Sequence, residues 1–337
     1  MAKHLFGPVV SRRLGRSLGV DMVPAKTCNM NCVYCECGPT PKLAEGRASF
    51  FPVQEVLEEL AATLPHTPLD VVTFSGSGEP MLSLDVPVVL DFIKRHYPQL
   101  KTAMITNGTL LGPQERKELQ GFDYILPALH AADEKIWKRI VRSKVALKTV
   151  VEGLIKLREE FSGQINLEVF LIPGINDQKE QQAPLAALIK KIKPDVIELN
   201  SLDRPGTLDW VKPCPAATLQ AWAQGLADLT GIKTTIIARH AASPVPTTWA
   251  ATDALHAWPA AYALLARRPA GRDDLVQACA VPPSQLDQWL QTWLAQHKII
   301  QQGNFFCLAP QGLPEEARPR KSAKRAQKNP AEAGPFV

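Results

Sequence analysis

The chain has 337 residues, 45% of them hydrophobic and 21% charged, with a formal net charge of +5. That length suits a barrel-sized domain with a smaller companion, and the composition is ordinary for a globular protein. Seven cysteines, three of them on one loop, do not make a disulfide framework and fit a reducing compartment.

Targeting signals are sparse. The opening Met-Ala-Lys-His-Leu-Phe-Gly-Pro lacks the apolar stretch of a signal peptide, and no apolar run has the length of a bilayer span. A cytoplasmic protein without membrane contact is expected. Part of the positive charge lies in Arg318, Arg320, Lys321, Lys324, Arg325 and Lys328, so the overall balance says little about the rest.

In chain order, residues 5–16 read as a surface strap whose Arg12, Arg13 and Arg16 are either solvated or form an anion-binding lip. Strands are expected at 17–23, 70–74, 101–106, 122–126, 164–172 and 195–199, with a possible last one at 233–237. Helices are expected at 53–64, 86–96, 115–120, 133–142, 147–161, 184–191 and 217–229; Val150, Val151, Leu154 and Leu157 keep helical register in one of them. About six strand–helix repeats imply a parallel sheet with right-handed crossovers and functional residues on the loops after the strands. An α/β barrel over residues 1–238 is followed by a linker at 239–252. Next come helices at 255–267, 272–278 and 283–296 and a hairpin at 299–308. That is the order of a winged-helix-like domain over 253–309, with a disordered basic tail at 310–337.

Three cysteines follow the first of these strands in Cys28-Asn-Met-Asn-Cys32-Val-Tyr34-Cys35. A zinc site would want a fourth Cys or His on a second knuckle. Cys37 is the nearby candidate, and its spacing makes a poor tetrahedral knuckle. Three thiolates on one loop can instead hold three corners of a cube-shaped iron–sulfur cluster and leave one iron open. The CxxxCxΦC pattern, with Tyr34 as the aromatic Φ, resembles the signature of the radical S-adenosylmethionine (SAM) superfamily. The resemblance implies an open six-strand (β/α)6 barrel and a [4Fe-4S] cluster on Cys28, Cys32 and Cys35. It also implies SAM bound at the open iron and cleaved by one electron to a 5′-deoxyadenosyl radical.

Other strand ends support the likeness. Ser75-Gly76-Ser77-Gly78-Glu79-Pro80 resembles the family's GGEP motif, which contacts the methionyl amino group; Ser77 replaces its first glycine. Tyr34, then Ser77, Gly78, Glu79 and Pro80, Thr106 and Asn107 of Thr-Asn-Gly, and Asn200 at the end of the sixth strand are carried over as cofactor-binding residues. Ala128 and His130 stand where related enzymes often have Ser and Asp, which makes His130 a candidate proton carrier. In the Gly174-x-Asn176-Asp177 turn, capping of the next helix suffices as an explanation. Asp203 and Arg204 can pair with each other. Cys214, in a rigid loop, is a candidate hydrogen donor or an inert thiol.

The likeness extends over roughly residues 5–240 and points to a branch related to the tRNA wyosine-synthesis enzyme. The expected activity is that of a radical SAM oxidoreductase or transferase served by a flavodoxin- or ferredoxin-like electron donor. RNA and peptide both suit the C-terminal unit as substrates, although the helix at 283–296 carries Asp287 as its sole charge. The alternative is a non-catalytic iron–sulfur redox or nucleic-acid-binding protein.

Overall fold

The structure, a computed structural model, describes residues 4–237 and 254–310. The chain opens with β1 (Leu5–Ser11), which pairs antiparallel with β2 (Gly15–Val20). Then follow α1 (Val53–Thr63), β3 (Val71–Phe74), α2 (Val86–His96), β4 (Lys101–Thr106), α3 (Pro113–Glu118) and β5 (Tyr124–Pro127). Next are α4 (Glu134–Val141), α5 (Leu147–Glu160), β6 (Gln164–Phe170), α6 (Gln182–Ile192), β7 (Val196–Asn200), α7 (Ala216–Thr230) and β8 (Thr234–Ile236). All eight strands form one sheet in chain order, with β2 through β8 parallel.

Alternation along the strands separates two faces. Leu18, Val20, Val72, Phe74, Met104, Ile165, Leu167, Val169, Ile197 and Leu199 belong to the main core, against the helices. Helix α5 contributes Leu147, Val150, Val151, Leu154 and Leu157 to that core, each worth roughly 1.5–3 kcal/mol against exposure to water. The opposite face is largely polar. There Ser17 Oγ bonds Thr73 Oγ1 at 2.8 Å and Asn166 Nδ2 donates to Glu198 Oε1 at 2.7 Å.

The sheet curls until its ends meet. From the β1–β2 turn, the Arg13 guanidinium reaches Glu168 on β6 and Glu198 on β7, the latter at 3.0 Å. Arg12 Nη1 reaches the carbonyl of Ile237, just past β8, at 3.4 Å, and pairs with Asp203. The result is an open barrel whose lateral gap is bridged by side chains. Residues 5–16 are therefore neither a strap nor an anion-binding lip: most form a strand, and Arg12 and Arg13 are committed to carboxylates.

The second unit comprises α8 (Ala254–Leu265), β9 (Ala270–Gly271), α9 (Arg272–Cys279), α10 (Pro283–Ala295), β10 (Ile299–Gln302) and β11 (Phe305–Leu308). Its sheet has three strands in the order β10-β11-β9, where the sequence suggested a two-stranded hairpin. Its core includes Leu264, Leu275, Leu286, Leu290, Trp293 and Phe306, together with Phe6 from β1. The expected linker and basic tail lie outside the described residues, apart from Pro310. Among the described residues, no helix is long and apolar enough to cross a membrane.

Candidate cluster and cofactor site

The cysteine loop follows β2 and is anchored on its apolar side. Met30 and Val33 are buried in the main core, and the N–H groups of Asn31 and Val33 donate to the carbonyls of Val141 and Ile140 at 3.0 and 2.9 Å. Cys28, Cys32 and Cys35 are left half-buried and unbridged.

Two of the three sulfurs, those of Cys28 and Cys35, meet donors. Met30 N donates to Cys28 Sγ at 3.4 Å, and Asn107 Nδ2 approaches it at 3.7 Å. Cys32 Sγ lies 3.9 Å from Met30 Sδ, and the nearby Tyr34 hydroxyl offsets part of the rise that burial imposes on its thiol. Lys26 Nζ, held by Gly38 O at 2.6 Å, lies 4.0 Å from Cys35 Sγ. Converging donors suit sulfurs that carry negative charge, as cluster ligands do. Among the described residues, no three His, Cys, Asp or Glu close on one point as a single ion requires. A cube-shaped cluster takes one thiolate per iron instead, so these residues fit a [4Fe-4S] group better than zinc. Burial pushes the Cys28 thiol up to about 12, so iron must displace its proton. A hydrogen bond from Cys37 holds Cys35 below the ordinary thiol range, against burial and with help from Lys26. Cys37 Sγ also lies 3.3 Å from Gly76 O, at the junction with the glycine-rich loop, so its one S–H is shared between these two acceptors in alternation.

That second loop follows β3 and is riveted to the first. Glu79 N donates to Thr27 O at 3.0 Å, and Lys26 N to Ser77 O at 2.9 Å. Gly78 is required by this packing: a Cβ there would overlap the Thr27 carbonyl oxygen and lie 2.7 Å from its carbon. The Glu79 carboxylate is fully engaged by protein donors. Its Oε1 accepts from Met81 N at 3.0 Å and Thr106 Oγ1 at 2.7 Å, and its Oε2 from Asn107 N at 2.7 Å. Pro80 begins a buried 3-10 turn over Pro80–Leu82. Thus Thr106 and Asn107 meet Glu79, and Asn107 Nδ2 continues to Asn29 Oδ1 at 2.8 Å.

Tyr34 stacks on Phe170 with ring centroids 3.9 Å apart. Its hydroxyl lies 2.6 Å from His130 Nε2, while His130 Nδ1 accepts from Phe170 N at 3.1 Å. That acceptor role puts the imidazole proton on Nε2, which donates to Tyr34 and leaves the phenol hydrogen for Cys32. His130 is 2% exposed, and burial takes its pKa down to about 3. It therefore stays neutral near pH 7 and orients Tyr34.

The other sequence candidates lie elsewhere. Asn200 is on the inner face of β7, its Nδ2 3.3 Å from Glu168 Oε2. Cys214 is buried in the wall of a 350 Å³ cavity with Ser201, Leu202, Pro213 and Leu219. Burial raises its thiol to about 11. Asn176 does not cap a helix: its Nδ2 donates to the carbonyls of His130 and Phe170, both at 2.8 Å, and α6 starts six residues later. Arg204 pairs with Asp203 at 3.6 Å but also with Glu36 of the cysteine loop at 3.1 Å. Nearby, Thr207 Oγ1 donates to Cys35 O at 3.0 Å. Sequence reasoning missed Lys26, Asn29, Glu36 and Asp21. The first three flank the cysteines closely enough to have been suspected.

Comparisons with known proteins bear on the family and the fold. Residues 22–183 match the Radical SAM superfamily. A protein of Brachyspira hyodysenteriae named GTPase Obg is 40% identical over 206 residues, 60% of this chain. The chain spans 30% of that protein's length. A UPF0026 protein of Synechocystis sp. is 36% identical over 208 residues, covering 60% of this chain and 77% of the relative. Among solved structures, Streptococcus suis SuiB bound to precursor peptide SuiA superposes with a TM-score of 0.52 at 16% identity. That match covers 68% of this chain and 51% of SuiB. With 77% of the Synechocystis relative covered, the chain belongs with the UPF0026 proteins, and its residues 22–183, which hold the cysteine loop, are a Radical SAM superfamily domain.

Proposed function

We propose that this radical SAM enzyme holds its [4Fe-4S] cluster on Cys28, Cys32 and Cys35 and receives SAM against the Ser77–Pro80 loop. When bound, the pair supplies one-electron cleavage of SAM, with an external low-potential donor, to a 5′-deoxyadenosyl radical that takes a hydrogen atom from the substrate. The observation that carries the reading is three unbridged cysteines on one anchored loop, with donors on Cys28 and Cys35. The chain's own task is to orient and enclose. Glu79 locks the second loop to the strand-end at Thr106, Tyr34 is fixed by His130 and Phe170, and the polar inner face of the barrel receives the substrate. Asn200 stands on that face, within reach of a ligand at the mouth. Seven free thiols among the described residues support a reducing, cytoplasmic setting.

The substrate is an RNA or a peptide brought to the barrel by residues 254–310, whose helix and strand order follows a winged helix. Between that unit and the barrel lies a 560 Å³ cleft lined by Arg204, Arg272, Asp274, Gln277, Asp287 and Gln291, among others. Its balanced charges and amides favour a peptide, since a phosphate backbone calls for excess positive charge. The deciding experiment uses anaerobically reconstituted, dithionite-reduced protein. SAM should perturb the EPR signal of the reduced cluster, and 5′-deoxyadenosine should form. A cluster that SAM neither perturbs nor meets cleavage at would leave the redox or binding alternative.

A further inference from the structure

Arg267, just past α8, is 7% exposed and lies 246 positions from its partner Asp21. Its Nε donates to Asp21 Oδ2 at 2.8 Å and its Nη1 to Ala263 O at 2.6 Å, and its guanidinium sits 4.8 Å over the Phe6 ring. Asp21 directly follows β2 and is 4% exposed. The same Oδ2 accepts from Ser77 N at 3.1 Å and Ser77 Oγ at 2.6 Å. Gly76, at φ +139°, leaves room for this carboxylate, whose two oxygens lie 2.6 and 2.7 Å from where its Cβ would stand. Asp21 Oδ1 has no hydrogen-bond partner.

A carboxylate this deep costs several kcal/mol unless a cation meets it. Arg267 supplies the cation from the C-terminal unit, and the neutralised carboxylate then holds Ser77 through its N–H and its hydroxyl and packs against Gly76. A second bridge from the same unit reaches the cysteine loop. Arg204 Nη1 bonds Glu36 Oε2 at 3.1 Å, and its Nη2 bonds Asp274 Oδ2 of α9 at 3.3 Å.

We propose that Arg267 is a positioning residue for SAM binding: through Asp21 it holds Gly76 and Ser77 in the conformation that meets the cofactor. Residues 254–310 are then part of the SAM site as well as a platform for substrate. The loop is preorganised by this contact, so its ordering cost is met before the ligand arrives. The inference rests on the reading of Ser77–Pro80 as the loop that receives SAM.

The test compares wild type with Arg267→Ala and Arg267→Lys in reconstituted full-length protein. Iron content, the SAM affinity from EPR titration and equilibrium dialysis, and hydrogen exchange of residues 75–80 without SAM are measured. Iron content should hold. The SAM dissociation constant should rise about 10-fold or more for Arg267→Ala, the loss expected for one charge-assisted bond, and the loop amides should exchange faster. Arg267→Lys should recover part of the affinity, because it restores the charge without the planar fork. Wild-type affinity and loop exchange in Arg267→Ala, even with a lowered Tm, would reduce Arg267 to a tie between two units and overturn the proposal. If the alanine chain does not fold, the lysine variant decides, with a several-fold weaker SAM affinity expected and an unchanged one refuting. Wild type that carries a cluster yet binds no SAM would instead remove the function proposed above.

Discussion

Gly78→Ala tests the junction of the two loops. A Cβ there would lie 2.7 Å from the Thr27 carbonyl carbon and overlap its oxygen. Ordinary carbon contact is about 3.5 Å, so the carbon alone requires the two backbones to part by roughly 0.8 Å, and the nearer oxygen requires more. The Glu79 N to Thr27 O bond, now 3.0 Å, would then stretch to about 3.8 Å, beyond hydrogen-bonding range. The neighbouring Lys26 N to Ser77 O bond is strained by the same movement. Two backbone bonds at about 1 kcal/mol each and overpacking at about 1–3 kcal/mol give a loss on the order of 3–5 kcal/mol. That should lower Tm by roughly 5–10 °C and impair cluster loading. Gly46→Ala is the control: its Cβ meets nothing within 4 Å and its φ is unremarkable, so stability should change little or rise slightly. Thermal unfolding and iron content of the two variants check the argument. Wild-type Tm and full iron content in Gly78→Ala would show that the loops are not in rigid contact.

Alanine at Cys28, Cys32 or Cys35 should each abolish iron–sulfide incorporation, while Cys37→Ala should keep it; an iron-free Cys37→Ala protein would make Cys37 a ligand. Burial raises the Glu79 carboxyl from 4.5 to about 6 against its hydrogen bonds. The native state therefore keeps this proton to higher pH than the unfolded chain, and stability is lost as pH rises from about 4.5 to 6. The loss is about 2 kcal/mol. Glu79→Gln lacks this slope, so parallel Tm–pH curves for cluster-free wild type and variant would refute the shift. Burial would also raise Asp123, but hydrogen bonds from Lys94 and Lys101 bring it down to about 2. Its contribution is present above pH 4 and fades as pH falls towards 2, at about 1 kcal/mol after solvent screening. Asp123→Asn should lose that much stability to urea at pH 7 and progressively less as pH falls from 4 through 2.

The radical SAM domain was legible because its signature is local, with three cysteines and an aromatic within eight residues. The parallel strands were legible because their apolar runs and glycine-marked ends recur in step with helices. β1 was not, for a physical reason. Leu5 packs in the main core and Phe6 in the second, so both faces are covered and no alternation appears. β9 is two residues long and exists through its pairing with β11. The glycines of the Ser75–Pro80 motif suggested close approach to a ligand, yet Gly78 is held glycine by Thr27 and Gly76 by the Asp21 carboxylate. His130 looked like a proton carrier because a sequence shows the ring without its burial.

The place of Phe6 has a consequence for synthesis. β1 is made before the second unit, yet one of its faces is covered by residues from 257 onward. The Asp21–Arg267 bond joins residues 246 positions apart, a delay of about 12–50 s at ordinary elongation rates. During that interval the nascent barrel carries an aromatic side chain uncovered and a carboxylate without its cation. The glycine-rich loop takes its final form when the second unit docks, so a ribosome-bound chain short of residue 267 should be open to chaperones and unready for cofactor.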